Sequence, residues 1–265
     1  MKKINSIILT LLTILLLAAC DDVPVDERLQ YVEPPEVGRA VLIEDYTGQY
    51  CVNCPRATEE IERLIEQYGD SVVIPVAIHS GPFSKRNGEF TPLYTQVGDL
   101  YFTRWNLSSQ PVGLVDRLFG SKPLAYTDWA GGVNYEIAFK APVSFMTAID
   151  YDDESRNASI EVQTIGLDSA RVSGKLQVWL VEDSIDSFQL MPDGSTNEHY
   201  NHMHVFRASV NDSWGDDLSV DHGEVAVKNY SLAMDPAWVP EHCAVVTFLY
   251  DENGVLQVAK KKLTY

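Results

Sequence analysis

The stretch that decides the fold is Ala40-Val41-Leu42-Ile43-Glu44-Asp45-Tyr46-Thr47-Gly48-Gln49-Tyr50-Cys51-Val52-Asn53-Cys54-Pro55. Its opening run, Ala40 to Ile43, is apolar at every position and predicts a buried strand. Beyond Pro55, the residues Ala57, Ile61, Leu64, Ile65 and Tyr68 share one helix face, and Gly69 supplies a stop. Ser71 to Ile78 predicts a second strand. The order strand, CxxC, helix, strand is the context in which two close cysteines carry chemistry. A cysteine just ahead of a helix meets unpaired backbone N–H groups and the positive end of the helix dipole. Both favour thiolate, so Cys51 is the expected nucleophile and Cys54 the resolving thiol. Two other readings of the pair stay open. One is a permanently closed structural disulfide, as oxidising compartments favour. The other is a zinc site, for which a second CxxC is absent.

This arrangement resembles thioredoxin-fold proteins, and the resemblance extends to three further positions. Such proteins begin the strand facing the CxxC with a cis-proline, and Gln110-Pro111, ahead of Val112 to Asp116, occupies that place. They also set a buried acid six residues before the first cysteine, which is Asp45 here. The resemblance gives that acid the role of proton acceptor for the resolving thiol, against the plainer reading of a solvated acid beside Glu44. Tyr50 and the insertion between His79 and Gly98 would shape the docking face. His79, at the end of the second strand, is either structural or a neighbour of Cys51.

A more particular resemblance lies in three segments. Tyr46 to Pro55 is similar to the TG-x-x-C-x-N-C-P signature of the Omp28-related outer membrane lipoproteins. Pro111 to Arg117 and His202 to Ala208 fit the same family. The resemblance implies an α/β thioredoxin-like N-terminal domain, over 37–140, followed by an all-β immunoglobulin-like sandwich, over 141–265. It implies no defined reaction.

The second part reads as seven short strands: Val143–Ile149, Ala158–Ile165, Gly174–Val181, Met203–Val210, Gly223–Leu232, Ala244–Tyr250 and Leu256–Lys262. Asp251 to Gly254 is a hairpin turn. The connection from Glu182 to Asn201 is long and ends among His199, His202 and His204. On one strand His202 and His204 would point the same way, with Asp193 and Glu198 near, so these are weak candidates for a metal site. The plainer expectation is a hydrogen-bonded or exposed histidine cluster with no metal. Trp129, Trp179, Trp214 and Trp238 are expected to pack rather than bind.

The N-terminus places the chain. Lys2 and Lys3, the apolar run Ile7 to Leu17, and Leu17-Ala18-Ala19-Cys20 have the order of a secretory signal. The last four residues resemble a lipobox, which implies cleavage of 1–19 and lipid (palmitate-type acylation) on Cys20. Residues 20–36, with Pro24, Pro34, Pro35 and many charges, read as a tether. The run Cys20-Asp21-Asp22 resembles a surface-export signal in one group of bacteria and an inner-membrane retention signal in another. The expected location is the outer membrane, lipid-anchored. The balance of 38 acidic against 20 basic residues argues against nucleic acid as a partner. Cys243, in an apolar run, is expected to be buried.

The leading functional expectation is thiol–disulfide exchange with exported proteins or a redox partner, without a cofactor. Cys51 attacks, Cys54 resolves, Pro111 presents backbone and Asp45 moves the proton. The alternative is a surface binding or adhesion lipoprotein using the first domain as scaffold. A metal-binding lipoprotein is a third.

Overall fold

In a computed structural model, residues 38–264 are described. The signal segment, Cys20 and the tether lie outside the described residues. Strand β1 (Val41–Thr47) is buried along its whole length, as its apolar start predicts. Helix α1 (Cys54–Tyr68) crosses over it and leads to β2 (Val73–His79), which pairs with β1 in parallel from Val41↔Val73 to Thr47↔His79. A parallel pair needs such a crossover, because the chain must return to the starting end. Ala57, Ile61 and Leu64 of α1 bury against Val41, Ile43 and Val73. The small hairpin β3 (Lys85–Arg86) and β4 (Glu89–Phe90) punctuates the insertion. Helix α2 (Gln96–Arg104) follows, with Thr95 Oγ1 accepting from the Gly98 N–H at 3.0 Å as its N-cap. Strand β5 (Val112–Val115) returns antiparallel to β1. A turn containing the short α3 (Leu118–Ser121) then leads to α4 (Trp129–Glu136). Gly113 is required where it stands, since a Cβ there would lie 2.6 Å from the Trp129 ring.

The C-terminal strands are β6 (Val143–Asp152), β7 (Asn157–Gly166), β8 (Val172–Glu182), β9 (Ile185–Leu190), β10 (Thr196–His202), β11 (Val205–Ser209), β12 (Asp216–Val220), β13 (Val225–Ala233), β14 (Cys243–Tyr250) and β15 (Val255–Lys262). Strands β13, β7 and β6 form a three-stranded antiparallel sheet. The others mostly do not stay with them. The main sheet runs β15-β14-β8-β11-β2-β1-β5, with β12 also on β8.

This corrects the expected fold class. The chain does not form an α/β thioredoxin-like domain followed by an immunoglobulin-like sandwich. A self-contained N-terminal sheet would leave one side of β2 open. Instead β11 docks there in parallel, at Val205↔Ala77, with the Ala77 N–H donating to His204 O at 2.8 Å. The strands expected to close a sandwich are divided between the shared sheet and the three-stranded one. The contact between β11 and β2 is brief for a physical reason. Alternate residues present their N–H groups to the same side, and Pro75, two before Ala77, has none to give. The shared core unites both halves of the chain. Leu42, Tyr46, Ile74, Val76 and Ile78 pack with Trp179, Phe206, Val246 and Phe248. Trp129 and Trp179 are fully buried, so both pack rather than present a platform.

The polar connection from Glu182 to Asn201 also differs from expectation. It is largely a hairpin, β9 and β10, closed at Met191–Ser195, where the Met191 N–H donates to Ser195 O at 2.8 Å.

Candidate functional site: a roofed disulfide

Cys51 and Cys54 are joined in a disulfide, with their Cα atoms 5.4 Å apart. Cys54 opens α1 and Cys51 lies just ahead of it, its N–H donating to Gly48 O at 3.0 Å. Gly48 permits the tight approach of the insertion: a Cβ there would sit 2.6 Å from the Phe83 carbonyl carbon. The next contact confirms the closeness, since the Tyr50 N–H donates to Phe83 O at 2.9 Å.

The expected neighbours are brought to this place. Gln110-Pro111 is cis. Pro111 lies one residue beyond the Tyr46–Val112 pair, beside the end of β1 that leads to the cysteines. The Gln110 amide fixes the turn, donating to Thr47 O at 2.6 Å and Ser80 O at 3.0 Å. Asp45 is buried, not solvated, and its Oδ1 has no hydrogen-bond partner. Burial pushes its carboxyl pKa up to about 8. Asp45, Cys54, His79, Tyr200 and His202 line one cavity of about 20 Å³, space for about one water.

The roof of this site was not legible in the sequence. Hairpin β9–β10 lies over the disulfide. The Gln189 amide donates to Cys51 O at 3.0 Å and to Gly48 O at 3.4 Å. The Leu190 N–H donates to Gln49 O at 2.8 Å. In return, the Gln49 amide donates to Phe188 O at 2.7 Å and Ser187 Oγ at 2.9 Å. Tyr50 stacks at a tilt on Phe188, with ring centroids 5.1 Å apart. As a result each cysteine is only 2% exposed. Nothing in the local pattern marks Gln49 or Gln189; only their facing amide and carbonyl groups, 140 residues apart in the chain, make the seal.

The three histidines part company. His202 ends β10 and turns inward, its ring centroid 5.3 Å from that of His79. Burial lowers the His202 pKa to about 4 and takes His79 well below the ordinary imidazole value, so both are neutral. His204 has left the strand, at φ 58°, and its Nδ1 lies 3.0 Å from Asp183. His199 is exposed beside Asp186 at 3.1 Å. They therefore do not share one strand face, and among the described residues no group of three His, Cys, Asp or Glu side chains is placed to hold a metal. Cys243 is buried, which pushes its thiol up to about 12.

Comparison with known proteins fixes the family. Residues 99–265 match the family model described as Outer membrane protein Omp28. The chain belongs to the Omp28 family. The match begins after the cysteine pair and includes the hairpin that roofs it. Among solved structures, HBP35 of Porphyromonas gingivalis superposes with a TM-score of 0.65 at 13% identity, covering 85% of this chain and 76% of that one. A protein from Agrobacterium tumefaciens gives 0.51 at 16% identity, covering 86% and 96%. At these identities the likeness is one of fold. A domain of the outer membrane lipoprotein Omp28 from Porphyromonas gingivalis is 22% identical over 47% of this chain and 89% of that one, with a TM-score of 0.34. No match is found among curated protein sequences. Family membership associates the chain with the outer membrane. No helix among the described residues is long and apolar enough to cross one.

Proposed function

We propose that this Omp28-family chain is anchored by lipid at Cys20 and exchanges disulfides with exported proteins through Cys51 and Cys54. The observation that carries the reading is Asp45. A buried carboxyl without a partner costs stability, and a disulfide serving only as a staple has no use for one. Beside a reacting pair it has a use. A thiolate of the exported protein attacks Cys51 Sγ, the Cys51–Cys54 bond breaks, and Cys54 leaves as a thiolate. The Asp45 carboxyl, with its pKa near 8, gives that thiolate its proton at neutral pH. A second thiolate of the exported protein then attacks the mixed disulfide and releases Cys51. The exported dithiol is oxidised and the pair reduced; the reverse sequence reduces a disulfide, with Asp45 accepting the proton. Either direction needs hairpin β9–β10 to lift, since both sulfurs lie beneath it.

That burial also supports a second reading, a surface-binding lipoprotein in which the disulfide is a permanent staple. Trapping separates the two. With Cys54→Ser, the Cys51 thiolate should attack disulfides of exported proteins, releasing one of their sulfurs as a thiolate, and the mixed disulfides should accumulate until reductant frees them. An empty trap, with Cys51→Ser leaving the fold intact, would sink the exchange reading and favour the staple.

A further inference from the structure

The pole of the molecule opposite the disulfide carries three exposed aromatic rings. Phe119 is 65% exposed, Tyr135 51% and Phe139 49%. They form one cluster, with ring centroids 6.4 Å apart for Phe119–Tyr135 and 5.1 Å for Tyr135–Phe139. Nothing in the core requires them there. Phe119 sits at φ 54°, a left-handed conformation unfavourable for a bulky residue, at the tip of the turn after Asp116. The turn holds the ring out toward solvent.

The cluster adjoins the place where the chain leaves the described body. Arg39, the second described residue, donates to Asp116 Oδ2 at 3.4 Å and to Val255 O at 2.5 Å, and forms an ion pair with Glu136. Asp116 opens the turn that carries Phe119, and Glu136 is the neighbour of Tyr135. The Asp116 N–H donates to Leu42 O at 2.9 Å, at the start of β1. The cysteines follow the other end of β1, some seven residues or about 20 Å away. Only seventeen residues separate Cys20 from Gly38, a contour of at most about 60 Å.

We propose that Phe119, Tyr135 and Phe139 form a contact with the lipid surface of the membrane in which Cys20 is anchored. Tyr135 suits the headgroup level of a bilayer, and Phe119 and Phe139 suit the headgroup–acyl boundary just beneath it. A patch of three rings is too small to recruit so acidic a protein to a membrane by itself. A chain already held within about 60 Å needs no recruitment, only orientation. Seated on these rings, the molecule turns its cysteine pole away from the bilayer, toward exported proteins. The inference rests on the lipid-anchor reading of Cys20.

The test uses the full lipidated chain on phosphatidylethanolamine–phosphatidylglycerol vesicles. Single-cysteine probes are placed by Phe119→Cys or Tyr135→Cys. Phe90→Cys, at a ring 56% exposed near the disulfide pole, is the reference. Labelling is selective, because Cys51 and Cys54 are paired and Cys243 is buried. A fluorophore at 119 or 135 should lose iodide quenching several-fold on vesicles and gain quenching from spin-labelled lipid, while the probe at 90 changes little. Equal iodide access at all three positions overturns the contact. So does shielding of 119 and 135 that appears only when a second protein is added. Failure of the chain to float with the vesicles instead overturns the anchor, and the lipid contact with it.

Discussion

Asp45 is one carboxyl whose surroundings set a whole pH profile. Its folded pKa near 8 lies far above the unfolded value of about 3.9. Between those values the folded state binds a proton that the unfolded state has lost, so stability falls as pH rises. The full loss, above pH 8, is on the order of 5 kcal/mol. His79 and His202 act in the opposite sense. Their folded pKa values lie below the unfolded value, so their contribution is present above about pH 6.5 and is lost as pH falls. The Asp45 slope is therefore isolated by difference. Asp45→Asn should gain stability over the native chain by about 1 kcal/mol per pH unit from pH 5 to 8, read from urea midpoints of the oxidised protein. A difference that stays flat would mean that Asp45 is ionised in the fold. The position of Asp45 before the cysteines was legible in the sequence. Its isolation was not, because burial depends on β2 and on Tyr200 and His202 arriving from far along the chain.

Hairpin β9–β10 is the element that decides access to the disulfide. Its strands lack alternating apolar residues, and β10 is mostly exposed, so the segment reads as a long polar loop. The side chains that matter point inward singly: Gln189 from β9 and His202 from β10. Removing the Gln189 amide leaves Cys51 O and Gly48 O without that donor and loosens the roof. Gln189→Ala should speed reduction of the disulfide by dithiothreitol roughly tenfold, as expected for about 1–2 kcal/mol lost from the closed state. A native rate in that variant would show that the hairpin does not limit access. Helix α1 stands at the other extreme. Its apolar spacing alone announced both its extent and its buried face, because a helix lying on a sheet writes its packing into a period of 3.6.

At the scale of the molecule, the two halves of the chain share one sheet and one core. Arg117 illustrates the dependence. It pairs with Glu44 at 2.6 Å and lies over the Tyr250 ring at 4.2 Å, so residues from both halves enclose one buried ion pair. Residues 38–140 expressed alone would expose β2 and lose Trp179, Phe206 and Phe248 from the core. That fragment should show no cooperative urea transition, whereas the full chain should unfold in one step, coincident by tryptophan fluorescence and circular dichroism. Two separate transitions in the full chain would contradict this.

Asp45 and Pro111 were placed by the resemblance, whereas the residues alone announced a local order: a strand, a cysteine pair, a helix and a second strand. Those features depend on spacing within one segment and on backbone rules that any such segment obeys. What surrounds them is set by contacts reaching across the chain. The docking of β11 on β2, the roof over the disulfide and the parting of the histidines come from contacts between residues more than 100 positions apart or from a single left-handed φ at His204. Local periodicity says that a face is apolar, or that an amide is present, but it does not name the partner. With β2 buried along its whole length, the backbone groups of its second edge are cut off from water and need a partner; β11 supplies it from the other half of the chain.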